Sequence, residues 1–162
     1  MYFSTYSSPV GTLLLRSDGR ALTHLTFAGD PQACGEPDRI TEQAAQWLDR
    51  YFRGEDPAVD FPLAPEGTPF QKQVWNLLQG IPFGQVRTYG SIAREMAEIL
   101  GRKTMSAQAV GQAVGSNPVS ILIPCHRVVG TKGQLTGYAG GLERKIWLLR
   151  QEGRQIEYNI VT

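Results

Sequence analysis

Residues 56–68 do most to limit the folds open to this chain of 162 residues. Pro57, Pro62 and Pro65 fall within that stretch, and no apolar position recurs there at helical spacing. Proline fixes φ, lacks an N–H and pushes the residue before it out of the helical region, so no continuous helix can cross. The patterns on either side differ. Before it, residues 11–16 and 21–27 are apolar and read as strands, with Asp18-Gly19 between them as a hairpin signal. Ile40, Ala44, Trp47, Leu48 and Tyr51 then recur at helical spacing, which predicts a helix over residues 39–52. We therefore expect an N-terminal α/β domain over residues 1–66, a small antiparallel sheet with a helix, followed by a linker in which residues 59–63 can form a short strand.

Beyond the break the periodicity is helical. Thr68 reads as an N-cap with Pro69 at the first helical position, opening a helix to about Gln79. Gly80-Ile81-Pro82-Phe83-Gly84 interrupts it. A helix over residues 89–100, a basic turn at Gly101-Arg102-Lys103 and a small-residue helix over 106–116 together have the outline of a helix-turn-helix. Asn117-Pro118 ends that run. Residues 119–123 are apolar and rich in β-branched side chains, and predict a short buried strand. A last helix is expected over residues 142–152, with Gly153 as its stop. The predicted class is α+β, with residues 67–162 forming a mostly helical second domain.

Charge separates the two parts. Residues 1–66 carry 5 Lys/Arg against 10 Asp/Glu, a net of −5, and residues 67–162 carry 11 against 5, a net of +6. Such asymmetry suits a second part that faces a polyanion. No apolar run approaches the ~20 residues of a membrane span, and Met1-Tyr2-Phe3-Ser4 lacks the basic start of a secretory signal. We expect a cytoplasmic monomer with no membrane association. Cys34 and Cys125 are the only cysteines and form no Cys-x-x-Cys pair, so a disulfide framework is not expected. A metal site would need both cysteines to converge with His24 and His126, and no metal or cofactor is expected. Thiol chemistry at one position remains.

Ile123-Pro124-Cys125-His126-Arg127-Val128 places a thiol, an imidazole and a guanidinium in a row after an apolar run. A thiol is a weak nucleophile near neutral pH unless a base or a positive field assists it, and His126 and Arg127 are placed to do so. In extended backbone adjacent side chains point to opposite sides. A water between Cys125 and His126 would then carry the proton.

Pro124-Cys125-His126-Arg127-Val128 resembles the active-site signature of the O6-alkylguanine-DNA alkyltransferases. The resemblance continues, in order, through Gly67-Thr68-Pro69-Phe70-Gln71, Ile81-Pro82-Phe83-Gly84, Tyr89-Gly90, Ala109-Val110-Gly111, Ser116-Asn117-Pro118 and Leu135-Thr136-Gly137-Tyr138-Ala139-Gly140-Gly141-Leu142. It is strong over residues 67–153 and general over 1–66, where it implies a ribonuclease-H-like sheet.

What the resemblance implies is direct-reversal repair of alkylated double-stranded DNA. Cys125 would accept the alkyl group of O6-alkylguanine, or of O4-alkylthymine, in a single turnover, and the base would have to leave the stack to reach it. His126 would deprotonate Cys125 through water, Glu152 would hold His126, and Asn117 would tie the active-site turn together. Tyr89 would help turn the nucleotide out, with Gln108, Ala109 and Gly111 on the helix that enters the minor groove. Val128, Tyr138 and Ala139 would line the base pocket. The chain departs from the family in two places. Gln108 stands where an arginine is usual, and the segment around residues 97–105 is longer, which makes Arg102 and Lys103 candidate phosphate contacts. A Cys-His hydrolase, a base-flipping relative without chemistry and a plain helix-turn-helix regulator are the rival readings. A hydrolase would need an oxyanion hole and would turn over.

Overall fold

Alternation along residues 11–17 builds the first sheet. Leu13 and Leu15 point inward and are fully buried, while Thr12, Leu14 and Arg16 between them are only partly covered. In this computed structural model, which describes residues 1–27 and 35–162, the strand β2 (Gly11–Ser17) lies between β1 (Tyr2–Ser8) and β3 (Leu22–Phe27), antiparallel to both. The Asp18-Gly19 turn forms as expected: Gly19 takes φ +92°, and the Asp18 carboxylate accepts from the amides of Arg20 and Ala21 at 2.8 and 2.9 Å. Strand β1 was not legible from its pattern, because its residues are mostly polar and half-exposed. Helix α1 (Arg39–Phe52) starts at a reciprocal cap between Asp38 and Thr41 and buries Ile40, Ala44, Leu48 and Tyr51. Cys34 lies outside the described residues.

Helix α2 (Pro69–Gln79) opens as its sequence predicts. Thr68 accepts from the Gln71 amide, and the Gln71 side chain accepts from Thr68 N–H, a capping box worth about 1 kcal/mol. Trp75, fully buried, donates its indole N–H to the Ala113 carbonyl at 2.8 Å and so ties α2 to α4 (Ala107–Gly115). Helix α3 (Tyr89–Leu100) begins at the Thr88 cap and ends at Gly101 in the left-handed region. With α4 it forms the helix-turn-helix, and Arg102 and Lys103 stand exposed in the turn. Between α2 and α3 the short strand β4 (Arg87–Thr88) pairs in parallel with β5 (Val128–Val129). Helix α5 (Leu142–Gln151) is followed by a small hairpin, β6 (Ile156–Glu157) and β7 (Ile160–Val161), which no periodicity announced.

The fold is α+β, a small antiparallel sheet and five helices among the described residues. The chain packs as two units: Met1–Glu66 with Pro118–Leu122, and Gly67–Asn117 with Ile123–Thr162. The expected division at residue 66 therefore differs from the packing at one inserted segment. The strand expected over 119–123 is corrected as well. Only Val119 pairs, through a bridge to Leu25, and Ser120, Ile121 and Leu122 turn, with Ile121 at φ +70°. Its apolar, β-branched composition reports burial, which a buried turn shares with a strand.

Candidate active site

Residues Cys125–Arg127 form a single 3₁₀ turn, not the extended backbone their sequence suggested. In such a turn successive side chains diverge by about 120°. Cys125 accordingly reaches the wall of a cleft, while His126 enters the core with no exposed surface. Asn117 closes the approach to this turn by donating its side-chain amide to the Ile123 carbonyl at 2.7 Å. Its second contact is with the Cys125 sulfur.

Around the sulfur the balance is clear in direction. Burial raises the Cys125 pKa, and the nearby Asn117 side chain, the charge of Lys145 and Tyr138 oppose it without reversing it. The resting group is a thiol that needs a base. His126 is suited to that task. Burial lowers its pKa, as do the nearby cations Arg127 and Lys145, against the contact with Glu152. Its Nε2 lies 2.7 Å from Glu152 Oε2, and next to a carboxylate that nitrogen carries the proton. Nδ1 is buried and has no protein partner among the described residues, which leaves it to take a proton through a water.

Arg127 holds Glu152 together with His126. Its Nε and Nη2 donate to the two carboxylate oxygens at 2.8 and 3.1 Å, and Nη1 donates to the Ile81 carbonyl at 2.7 Å. The guanidinium also lies over the Phe83 ring, and the Gly84 amide donates to Glu152 at 3.2 Å. Burial alone would raise the Glu152 pKa, but its bonds and charge interactions with His126 and Arg127 hold it well below the usual carboxylate range. Sequence reasoning gave Glu152 His126 as its only partner; the permanent cation is Arg127. The loop Gly80–Gly84 matters for the same reason. Gly84 sits at φ +79°, and a Cβ there would approach the Glu152 carbonyl oxygen to 3.0 Å.

Lys145 was missed. It is fully buried on α5, donates to the Val128 carbonyl at 2.7 Å, and burial lowers its pKa to about 8, with Cys125 opposing. A lysine in Leu142-Glu143-Arg144-Lys145 gives no signal of this, since lysines on helices usually stay solvated.

Beside Cys125 the cleft encloses about 830 Å³ and includes Tyr89, Gln108, Gly111, Tyr138 and Ala139 among its walls, none of them charged. Thr136 donates to the Tyr89 hydroxyl at 3.1 Å. Tyr89 shows a pKa raised mainly by burial. Of the other expected residues, Ala109 lines a smaller groove with Thr68 and Phe70. Val128 is not on the cleft wall: its side chain is in the core and its carbonyl serves Lys145. Among the described residues, no helix is long and apolar enough to cross a membrane.

Residues 69–154 match the family described as 6-O-methylguanine DNA methyltransferase, DNA binding domain, and residues 1–65 match its ribonuclease-like domain. A methylated-DNA–protein-cysteine methyltransferase of Methanosarcina acetivorans is 43% identical over 159 residues, covering 94% of this chain and 99% of that one. One of Haemophilus influenzae is 41% identical, covering 94% and 86%. Among solved structures, Mycobacterium tuberculosis OGT in complex with DNA superposes with a TM-score of 0.82 at 40% identity, covering 94% of this chain and 92% of that one.

Proposed function

The chain belongs to the 6-O-methylguanine DNA methyltransferase family, and from that premise we propose that Cys125 is the residue that receives the alkyl group. The activity is that of a methylated-DNA–protein-cysteine methyltransferase, which repairs alkylated DNA by alkyl transfer. The observation that carries the assignment of Cys125 is its place: a thiol on the wall of a cleft with no charged lining residue among the described residues, backed by a neutral imidazole whose other nitrogen is bound to a carboxylate. The step is an in-line displacement. His126 takes the thiol proton through a water, sulfur forms a bond to the alkyl carbon, and the carbon–O6 bond breaks with its electrons remaining on the base. The proton removed from the thiol balances the one guanine regains at N1. O4-alkylthymine presents the same alkoxy carbon, and we place it in the substrate class.

Double-stranded DNA is the partner we propose, met by a monomer. Residues Arg102 and Lys103 would contact phosphates, Gln108 would fill the space left by the extruded base, and Tyr89 would hold the nucleotide out of the stack. The second part's net charge of +6 supports this arrangement. A reducing compartment, the cytoplasm, suits a reaction that consumes a free thiol. A hydrolase reading has less support, because the relatives at 41–43% identity carry the methyltransferase name.

Mass spectrometry of peptides after mixing the protein with methylated duplex DNA tests the acceptor. One methyl group on the Cys125 peptide is expected, and a methyl on Cys34 or on neither overturns the assignment.

Gln108→Arg is expected to tighten duplex binding roughly three- to tenfold, by adding one phosphate-attracting charge. Gln108 is exposed on α4 at the cleft, so reaction with a free O6-alkylguanine base is expected to stay near the wild-type rate. Equal acceleration on both substrates would show that Gln108 acts on the thiol and not on the duplex.

A further inference from the structure

We infer that the C-terminal hairpin β6–β7 is a positioning element for the alkyl-transfer reaction, acting through the loop that walls the cleft beside Cys125. This rests on Cys125 being the acceptor. The hairpin lies beyond residue 154, where the match to the DNA-binding domain of the family ends. None of the motifs that carry the family resemblance includes it.

The loop in question runs from β5 to α5. It supplies two groups to the site: Thr136 donates to the Tyr89 hydroxyl, and Tyr138 lines the cleft with Cys125. Residues 137–141 contain Gly137, Gly140 and Gly141, a composition that does not hold its own shape. The loop is anchored at its other end. Gly130 N–H donates to the Gln134 carbonyl at 2.7 Å, which closes a tight turn over residues 130–134. From there the hairpin takes over. Leu135 N–H donates to the Asn159 carbonyl at 2.8 Å, and Gln134 pairs antiparallel with Ile160. Residues 134–135 thus add to the hairpin like a third strand, immediately before Thr136.

Contact there is close. A Cβ on Gly133, which sits at φ +81°, would fall 2.4 Å from the Val161 carbonyl oxygen. The hairpin is itself fixed to the core by Ile156 and Val161, which pack with Val129 and Leu149, with Leu135 against the same cluster.

Its turn is informative. Tyr158 and Asn159 both adopt left-handed backbone, φ +53° and +58°, the geometry that matches the twist of a two-residue hairpin. Tyrosine is a poor residue for it, and the Tyr158 side chain, 96% exposed, contributes no packing in return. What the turn secures is the direction of the Asn159 carbonyl, aimed at Leu135. A shift of this loop would move Tyr89 and Tyr138 together, and misplacement of reacting groups by about 1 Å costs on the order of a hundredfold in rate.

The test uses full-length protein and three substitutions. Gly133→Ala forces the loop off the hairpin, and Asn159→Pro breaks the left-handed turn. Asn159→Gly keeps both the turn and the carbonyl. Alkylation of Cys125 is timed with methylated duplex and with O6-methylguanine as free base, alongside affinity for unmodified duplex and the unfolding midpoint. Gly133→Ala and Asn159→Pro are expected to slow transfer from both substrates by about tenfold or more, with duplex affinity within about twofold and Asn159→Gly near wild type. A merely structural role would move the midpoint and leave the transfer rate of the folded protein unchanged, and that result overturns the inference. Should one variant fail to fold, the other decides. Wild-type protein that gains no alkyl group on Cys125 would instead overturn the acceptor assignment, and the hairpin's role with it.

Discussion

Cys125→Ala is expected to abolish alkyl transfer, and wild-type protein in limiting amount is expected to repair at most one base per chain. Both follow from the bond that forms. Attack by sulfur on a saturated alkyl carbon gives a thioether, whose carbon has no carbonyl for water to attack and whose sulfur is a poor leaving group. A cysteine hydrolase would form a thioester and regenerate its thiol. Nothing among the described residues of the site reverses the transfer: the sulfur's neighbours there are Asn117, Tyr138 and the charge of Lys145, and Lys145 is already engaged with the Val128 carbonyl. Alanine removes the acceptor and vacates little volume, so the variant should still bind alkylated duplex. The measurement is a count of repaired bases against protein. A plateau at or below one supports the reading, and steady release beyond one shows a turnover enzyme.

Arg127→Ala should destabilise the fold by about 3–5 kcal/mol, the usual cost of leaving a buried carboxylate without its cation. For a chain of this size that lowers the unfolding midpoint by roughly 10 °C. The loss is large because Arg127 serves three partners at once: both oxygens of Glu152, the Ile81 carbonyl and the Phe83 ring.

The sign of the pH dependence follows from the directions of the shifts. His126 is lowered in the folded state, so its neutral burial contributes stability that is full above its unfolded pKa of about 6.5 and is lost as pH falls below that. Glu152 is also lowered, and its contribution is full above the unfolded carboxylate pKa of about 4.3 and is lost on further acidification. Wild-type stability should therefore fall in two acid stages. In the variant the Glu152 stage should shrink and move to higher pH, since the permanent cation that holds its pKa down is gone. A calorimetric series over pH, with wild type and variant in parallel, checks this, and an unchanged midpoint would remove Arg127 from the network.

Much of this protein was written locally. Thr68 and Pro69 start α2 through backbone groups within one turn, and Asp18-Gly19 makes its hairpin with its own side chain, so their sequence signals were sufficient. The reactive cysteine was legible too, because the residues around Cys125 are contiguous in the chain. What tertiary structure decided are the interactions between residues far apart. Residues 120–122 turn where a strand was expected, and residues 125–127 form a 3₁₀ turn in place of extended backbone. Lys145 became a buried group bound to the Val128 carbonyl, and Arg127 joined His126 at Glu152 as its cation. The hairpin at residues 156–161 is two residues per strand and too short for any periodicity, yet Asn159 reaches Leu135. The physical reason is the same in each case: conformation, ionisation and partners depend on the dielectric and the groups around a residue, and those are set by residues 17 to 94 positions away in sequence, as in Lys145 with Val128 or Val119 with Leu25.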